Sequence, residues 1–226
     1  MKAPVMERRF HEPNPVAHLN RDALRQAGVL AVGVHGGPGC GKTSLIAATI
    51  EHLLPDVRAG VIACDICSHR DADRFSCDTE QVVQVNTGEG GVVDATHIRD
   101  ALRWLDVKSL DLLFIENVGT LAQASVPDFG QDATATVFSV AAGDDKADKH
   151  PDLVNAADVV LLNKTDLLSS VPFDLDAFRA DVKRLKPSVP LIELSALKRD
   201  RLDQWAKWLM SRATRENWKG PLWFEE

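Results

Sequence analysis

The stretch that most limits what this chain can fold into is Gly36 to Thr43, which reads Gly-Gly-Pro-Gly-Cys-Gly-Lys-Thr. It fits the pattern of a glycine, four free positions, then Gly41, Lys42 and Thr43. A row of phosphates carries several negative charges and no flat face. It is held best by backbone N–H groups pointing inward, on a backbone that passes close by without side chains in the way. Gly36, Gly37, Gly39 and Gly41 permit that approach, with Pro38 and Cys40 between them. Lys42 brings a point charge to the terminal phosphates. The Thr43 hydroxyl suits magnesium, a hard cation that prefers oxygen, and Ser44 completes the expected phosphate-binding set. Val29 to Val34 is a short apolar run ending at this loop, as in a buried parallel strand. Leu45, Ile46, Ile50, Leu53 and Leu54 then recur at helical spacing until Pro55. Strand, loop and helix start in that order put the helix's positive end on the phosphates.

The rest of the chain repeats the alternation. Short apolar runs are expected as strands at Val61–Cys64, Val82–Val85, Leu112–Ile115, Thr136–Ala141, Val159–Leu162 and Leu191–Leu194. Helices are expected at Val16–Gln26, from Ala95 to Leu105, at Phe173–Leu185 and at Leu202–Met210. Strands alternating with helices imply an α/β P-loop NTPase, a mostly parallel sheet with helices on both faces. The 226 residues suffice for one such domain, 1–226, with 1–15 an N-terminal arm and 214–226 a tryptophan-containing tail. Trp205 and Trp208 share a helical face and are expected in the core, while Trp218, Trp223 and Phe224 are expected to pin the tail to the domain. The formal net charge of −7, without a basic run, argues against nucleic acid and anionic membranes as partners. No stretch is long enough to span a bilayer, and neither a signal peptide nor a disulfide framework is visible, so a reducing, cytoplasmic setting is expected.

A second constellation, Asn163-Lys164-Thr165-Asp166, follows the sixth strand. Guanine presents two parallel donors, its ring N–H and its exocyclic amine, and a carboxylate accepts both at once. Adenine would set an unpaired acceptor against Asp166. Asn163 is expected to hold the loop and touch the base edge, with the Lys164 stem along the base face. Ser195-Ala196-Leu197, after the last strand, is placed for backbone N–H contact with the guanine carbonyl.

A third constellation concerns the ion. Asp65 and Glu116 each close an apolar strand, and in open α/β sheets ligands bind beyond the carboxyl ends of strands. Thr43, Asp65 and Glu116 are therefore the expected magnesium environment. Glu116-Asn117-Val118-Gly119 ends in a glycine whose N–H can meet the terminal phosphate, so loss of that phosphate would release the segment. Lys42, Thr43, Glu116 and Gly119 are the expected catalytic set. No side chain stands out as an efficient base for water, which implies slow hydrolysis driven by positioning and charge.

These motifs, with Asn86-Thr87-Gly88, Asp94-Ala95, Gly143-Asp144-Asp145 and Lys149-His150-Pro151 in order between them, resemble the HypB family of GTPases that assist nickel insertion into hydrogenases. They resemble UreG, the urease counterpart, less closely. The resemblance covers roughly Asn20 to Leu209. It implies a GTP- and Mg2+-dependent accessory protein that dimerises when loaded and serves a metalloenzyme precursor or another accessory protein. The segment Gly143 to Pro151 adds Lys146 and Lys149, which can approach a neighbour's phosphates. The family also carries a Cys-His pair after Asn-Thr-Gly and a later cysteine, which bind nickel or zinc between subunits. Here those positions hold Gly91, Val92 and Gln123, none of which offers a soft donor. Cys64 and Cys67, with His69 and Cys77, are an alternative Ni2+ or Zn2+ set, against the reading of Cys64 as a small apolar side chain. Three functions stay open at this point: a HypB-like GTPase, a GTP-gated interaction protein that handles no transition metal, and an ATP-dependent small-molecule kinase. Asp166 argues against the last.

Overall fold

A computed structural model describes residues 14–65, 79, 81–86, 92–118, 126–214 and 217–219, with Asp65 described by its backbone only. Seven strands form one sheet in the order β3-β2-β4-β1-β5-β6-β7. They are β1 Leu30–Gly36, β2 Ala59–Asp65, β3 Val82–Asn86, β4 Leu112–Glu116, β5 Ala133–Ser139, β6 Val159–Asn163 and β7 Leu191–Glu193. Every pairing is parallel, so the sheet is wholly rather than mostly parallel. β1, β4, β5 and β6 are buried along their whole length, which is why β4 and most of β6 read as unbroken apolar runs rather than alternating ones.

The helices are α1 Pro15–Gln26, α2 Lys42–Leu53, α3 Ala95–Ala101, α4 Lys146–Lys149, α5 Pro151–Ala156, α6 Leu175–Leu185 and α7 Leu202–Ser211. On one face α2 and α7 cover a core of Leu45, Ile46, Ile50, Phe114, Val137 and Leu209. There Trp205 donates its indole N–H to Thr49 Oγ1 at 3.0 Å, so the largest core side chain has its polar atom satisfied. On the other face α1 and α3 cover Leu24, Ile62, Ile98, Leu113 and Phe129. Buried Asn20 of α1 donates to the carbonyls of Ala95 and Phe129 at 2.8 and 3.0 Å, tying that helix to the start of α3 and to the loop before β5. At the amino edge of the sheet, aspartates accept N–H groups from neighbouring strands or their leads: Asp132 from Ala31, Asp158 from Thr134 and Asp111 from Arg58.

Several expected boundaries move. α1 begins at Pro15, with Asn14 accepting from Val16 and Ala17 N–H, so the expected arm ends earlier. β5 spans Ala133–Ser139 rather than Thr136–Ala141. Thr134 and Thr136 conceal its start in the sequence, yet both are buried, and Thr136 Oγ1 donates to Leu153 O at 2.9 Å. The helix from Ala95 becomes two 3-10 turns, Leu102–Trp104 and Val107–Ser109, after Ala101. α6 begins at Leu175 because Asp174 caps it, accepting from Ala177 N–H. Trp205 is core, but Trp208 is only partly buried and stacks on it at 5.3 Å. Trp218 is buried in the α2–α7 core, whereas Trp223 and Phe224 lie outside the described residues.

Candidate functional site

The carboxyl ends of β1, β4 and β6 lie side by side, apart from β5 between two of them, and the three sequence constellations leave from those ends. The loop after β1 needs glycine where it turns hardest. Gly41 has φ +95°, and a Cβ there would lie 2.5 Å from Asn163 Nδ2. Gly36 has φ +149°, and its Cβ would meet Val137 O at 2.3 Å. α2 then starts with no side chain capping its first N–H groups, which turns its positive end toward the loop. Lys42 is 6% exposed and donates from Nζ to Gly36 O and Gly37 O at 3.2 and 3.3 Å. Carbonyls of its own loop thus hold the ammonium where terminal phosphates would compete for it. Thr43 Oγ1 donates to Glu116 Oε1 at 2.8 Å. This joins the start of α2 to the end of β4 with two hard oxygen donors, the chemistry that fits magnesium. The backbone of Asp65 closes β2 on the other side of β4, where Ala63 is the register partner of Glu116. Its side chain, together with Gly119, Cys67, His69 and Cys77, lies outside the described residues.

Asn163 is the hinge pin of the site. It is buried, and its Nδ2 donates to Cys40 O at 3.1 Å. Its Oδ1 accepts from Lys164 N and Ala196 N at 2.7 and 3.0 Å. One amide therefore fastens the phosphate loop, the loop after β6 and the loop after β7. Lys164 reaches back over the phosphate loop and donates from Nζ to Gly39 O at 2.6 Å. Asp166 Oδ1 accepts from Ser195 Oγ at 2.5 Å, and Ser195 Oγ accepts from Lys198 N at 3.1 Å. An antiparallel bridge between Ser195 and Asp200 closes that loop. Asp166, Ser195, Lys198 and Arg201 line an open cavity of about 480 Å³. Ala196 is buried, while Leu197 is 79% exposed.

His35 carries no expectation from sequence and belongs to the site. It precedes Gly36 in β1, is buried, and stacks on Phe129 with ring centroids 5.8 Å apart. Its Nδ1 lies 3.1 Å from Asn117 Nδ2, next to Glu116. Asn117 Oδ1 accepts from Val118 N at 2.8 Å, so the amide nitrogen is the donor to His35 and the imidazole proton sits on Nε2. Among the described residues that Nε2 has no hydrogen-bond partner. Burial, and then the Lys42 charge, push the imidazole pKa down from 6.5 to about 3. The only signal in the sequence is a histidine inside an otherwise apolar strand.

The neutral His35 gives a test of this packing. Protonation costs nothing in the unfolded chain below pH 6.5, whereas the folded chain resists it down to about 3. Stability is therefore fully present above 6.5 and is lost as pH falls toward 3. Urea unfolding should show the difference between wild type and His35→Gln shifting against wild type by roughly 2 kcal/mol from pH 7.5 to pH 5. A pH-independent difference would show that the imidazole is not held neutral.

Cys64 packs among Ile62, Ile98 and Ile115. Burial, and then Glu116, push its thiol up to about 12, so without a metal it stays protonated and packs as a small apolar side chain. Cys40 is also buried, and its thiol is pushed up by burial. Val92 stands 61% exposed with no lone pair to offer a metal. Among the described residues no three His, Cys, Asp or Glu side chains group as a metal site. In the segment expected to face a neighbour, Lys146 and Lys149 both pair with Asp145. No helix of the described residues is long and apolar enough to cross a membrane.

Comparison with known proteins agrees with this geometry. Residues 30–193 match the CobW/HypB/UreG nucleotide-binding domain. The hydrogenase maturation factor HypB of Azotobacter vinelandii is 38% identical over 197 residues, which cover 87% of this chain and 65% of the relative. This chain thus spans a little under two thirds of that relative's length. The crystal structure of the hydrogenase maturation factor HypB from Archaeoglobus fulgidus superposes with a TM-score of 0.80 at 33% identity, covering 88% of this chain and 97% of that one. HypB from Helicobacter pylori in complex with nickel superposes at 0.83 with 28% identity, covering 91% and 96% of the two chains.

Proposed function

The chain belongs to the CobW/HypB/UreG family and has the fold of a P-loop NTPase, and from that premise we propose that it binds and slowly hydrolyses GTP as a HypB-like accessory protein in metalloenzyme maturation. The observation that carries this reading is the bonding of Asn163. Its bonds to Cys40 O and Ala196 N lock the phosphate loop and the base loops into one site with a fixed span. The Lys42 ammonium leaves its loop carbonyls for the terminal phosphates. The first N–H groups of α2 face the same charge, and Asp166, steadied by Ser195, accepts the two parallel donors of guanine. Thr43 and Glu116, with Asp65, would hold Mg2+, which supplies charge neutralisation at the terminal phosphates when bound. Glu116 ties that position to Asn117 and Val118, and through them to Gly119. Loss of the terminal phosphate releases this segment, and His35 is the contact that re-seats it.

Phosphate release from GTP across a magnesium titration tests the reading. Glu116→Ala is expected to raise the magnesium needed for half-maximal rate by about 10- to 100-fold. Normal hydrolysis by this variant at low magnesium would place the ion's ligands elsewhere.

The loaded protein is proposed to form a homodimer through the Gly143–Pro151 segment. Asp145 now occupies both lysines, and a neighbour's phosphates offer them a stronger partner. Light scattering with a non-hydrolysable GTP analogue should show the mass double. A monomer under saturating analogue would refute the dimer. Nickel appears in the structure of the Helicobacter pylori relative. If this chain handles nickel or zinc, it does so without the family's Cys-His pair. The accessory role proposed here rests on the nucleotide site and not on a metal carried by Gly91 and Val92, which offer no soft donor.

A further inference from the structure

At the amino edge of the sheet, opposite the phosphate loop, a groove of about 310 Å³ opens between α1 and the turns that follow α3. Its position follows from its lining: Ala27 leads into β1, and Lys108 leads into β4. The floor is apolar, made by Leu24, Ala27, Leu102 and Val107. The rim is basic, made by Arg99, Arg103 and Lys108, in a chain whose net charge is −7. An apolar floor with a rim of one charge is the shape of a binding surface.

The chain's own C-terminal segment is delivered to this groove. Asn217 and Trp218 are buried, so the backbone is fastened up to that point. Lys219 then donates from Nζ to Ala27 O at 3.3 Å and to Lys108 O at 2.5 Å, and both acceptors belong to groove residues. The next residues are Gly220, Pro221, Leu222, Trp223, Phe224, Glu225 and Glu226. Three bulky apolar side chains followed by two carboxylates match an apolar floor beside three cations. Seven extended residues reach about 24 Å, enough to cross the mouth of a groove of this size from its rim. Arg103 now pairs with Asp100 across an exposed surface at 3.2 Å, a weak contact that a second carboxylate can join.

We propose that this groove is the seat of the chain's own tail, with Leu222, Trp223 and Phe224 on its floor and Glu225 and Glu226 against Arg99, Arg103 and Lys108. The tail then straps α1 to the turns after α3 from the side away from the nucleotide. The proposal does not depend on what the nucleotide site binds.

Hydroxyl-radical footprinting of the full chain reads the side-chain exposure of the partly buried Leu102 and Val107 directly. A chain ending at Lys219 should label at those residues about threefold faster or more, and so should full-length Trp223→Ser/Phe224→Ser. The second variant keeps every residue of the chain's length and guards against loss of fold on truncation. Equal labelling of wild type and the double variant would overturn the proposal. Protection in wild type that disappears on dilution would also overturn it, since the occupant would then be the tail of a second copy.

Discussion

Lys42→Ala is expected to lower GTP hydrolysis by about 100-fold or more, the scale of losing one preorganised positive contact at a transition state. The side chain is 6% exposed and is held by the carbonyls of Gly36 and Gly37. Its stem therefore already points along the loop, and phosphates need only replace two carbonyls. The same burial separates the catalytic effect from damage to the fold. Removing a buried ammonium leaves two carbonyls without a donor but also removes a desolvated charge, and the two effects oppose each other. Thermal unfolding of the variant should lie close to wild type while phosphate release is lost. A variant that keeps its hydrolysis rate would show that the loop does not cradle the reacting phosphates.

Asp166→Asn is expected to erase the preference for guanine over adenine, a change of about 100-fold or more in the affinity ratio. The carboxylate accepts Ser195 Oγ–H on Oδ1, and this bond fixes its plane beside the cavity that Lys198 and Arg201 line. An amide keeps one acceptor and turns the other into a donor. Guanine then sets its amine against an N–H₂ group. Xanthine, with a carbonyl in place of that amine, becomes the complementary base. Titration with GTP, ATP and xanthosine triphosphate should show GTP falling and xanthosine triphosphate rising in the variant. Unchanged GTP preference in Asp166→Asn would remove Asp166 from the base contact.

Much of this arrangement is legible in the sequence, because strands buried on both faces are mostly apolar. β1, β4 and β6 stand out as such runs, each ending at a polar motif. β5 was displaced by three residues at its start, since Thr134 and Thr136 look polar in sequence while their surroundings bury them. The phosphate loop was readable because glycine spacing reports backbone conformation directly. The bonds that unify the site were not. A single asparagine that satisfies one carbonyl and two N–H groups in three different loops has no local pattern. Neither has a histidine whose partner lies 82 positions away. The groove at the amino edge was invisible for the same reason. Its floor joins the end of α1 to the turns after α3, far along the chain, and no local pattern links the two.

The measurement that bears most directly on the account is equilibrium competition between GTP and ATP for the wild-type chain in magnesium, followed by phosphate release from each. Asp166 seated by Ser195, on a loop locked to the phosphate cradle by Asn163, predicts GTP preferred by about 100-fold or more and slow hydrolysis of GTP alone. Equal affinity for the two nucleotides, or faster turnover of ATP, would contradict it.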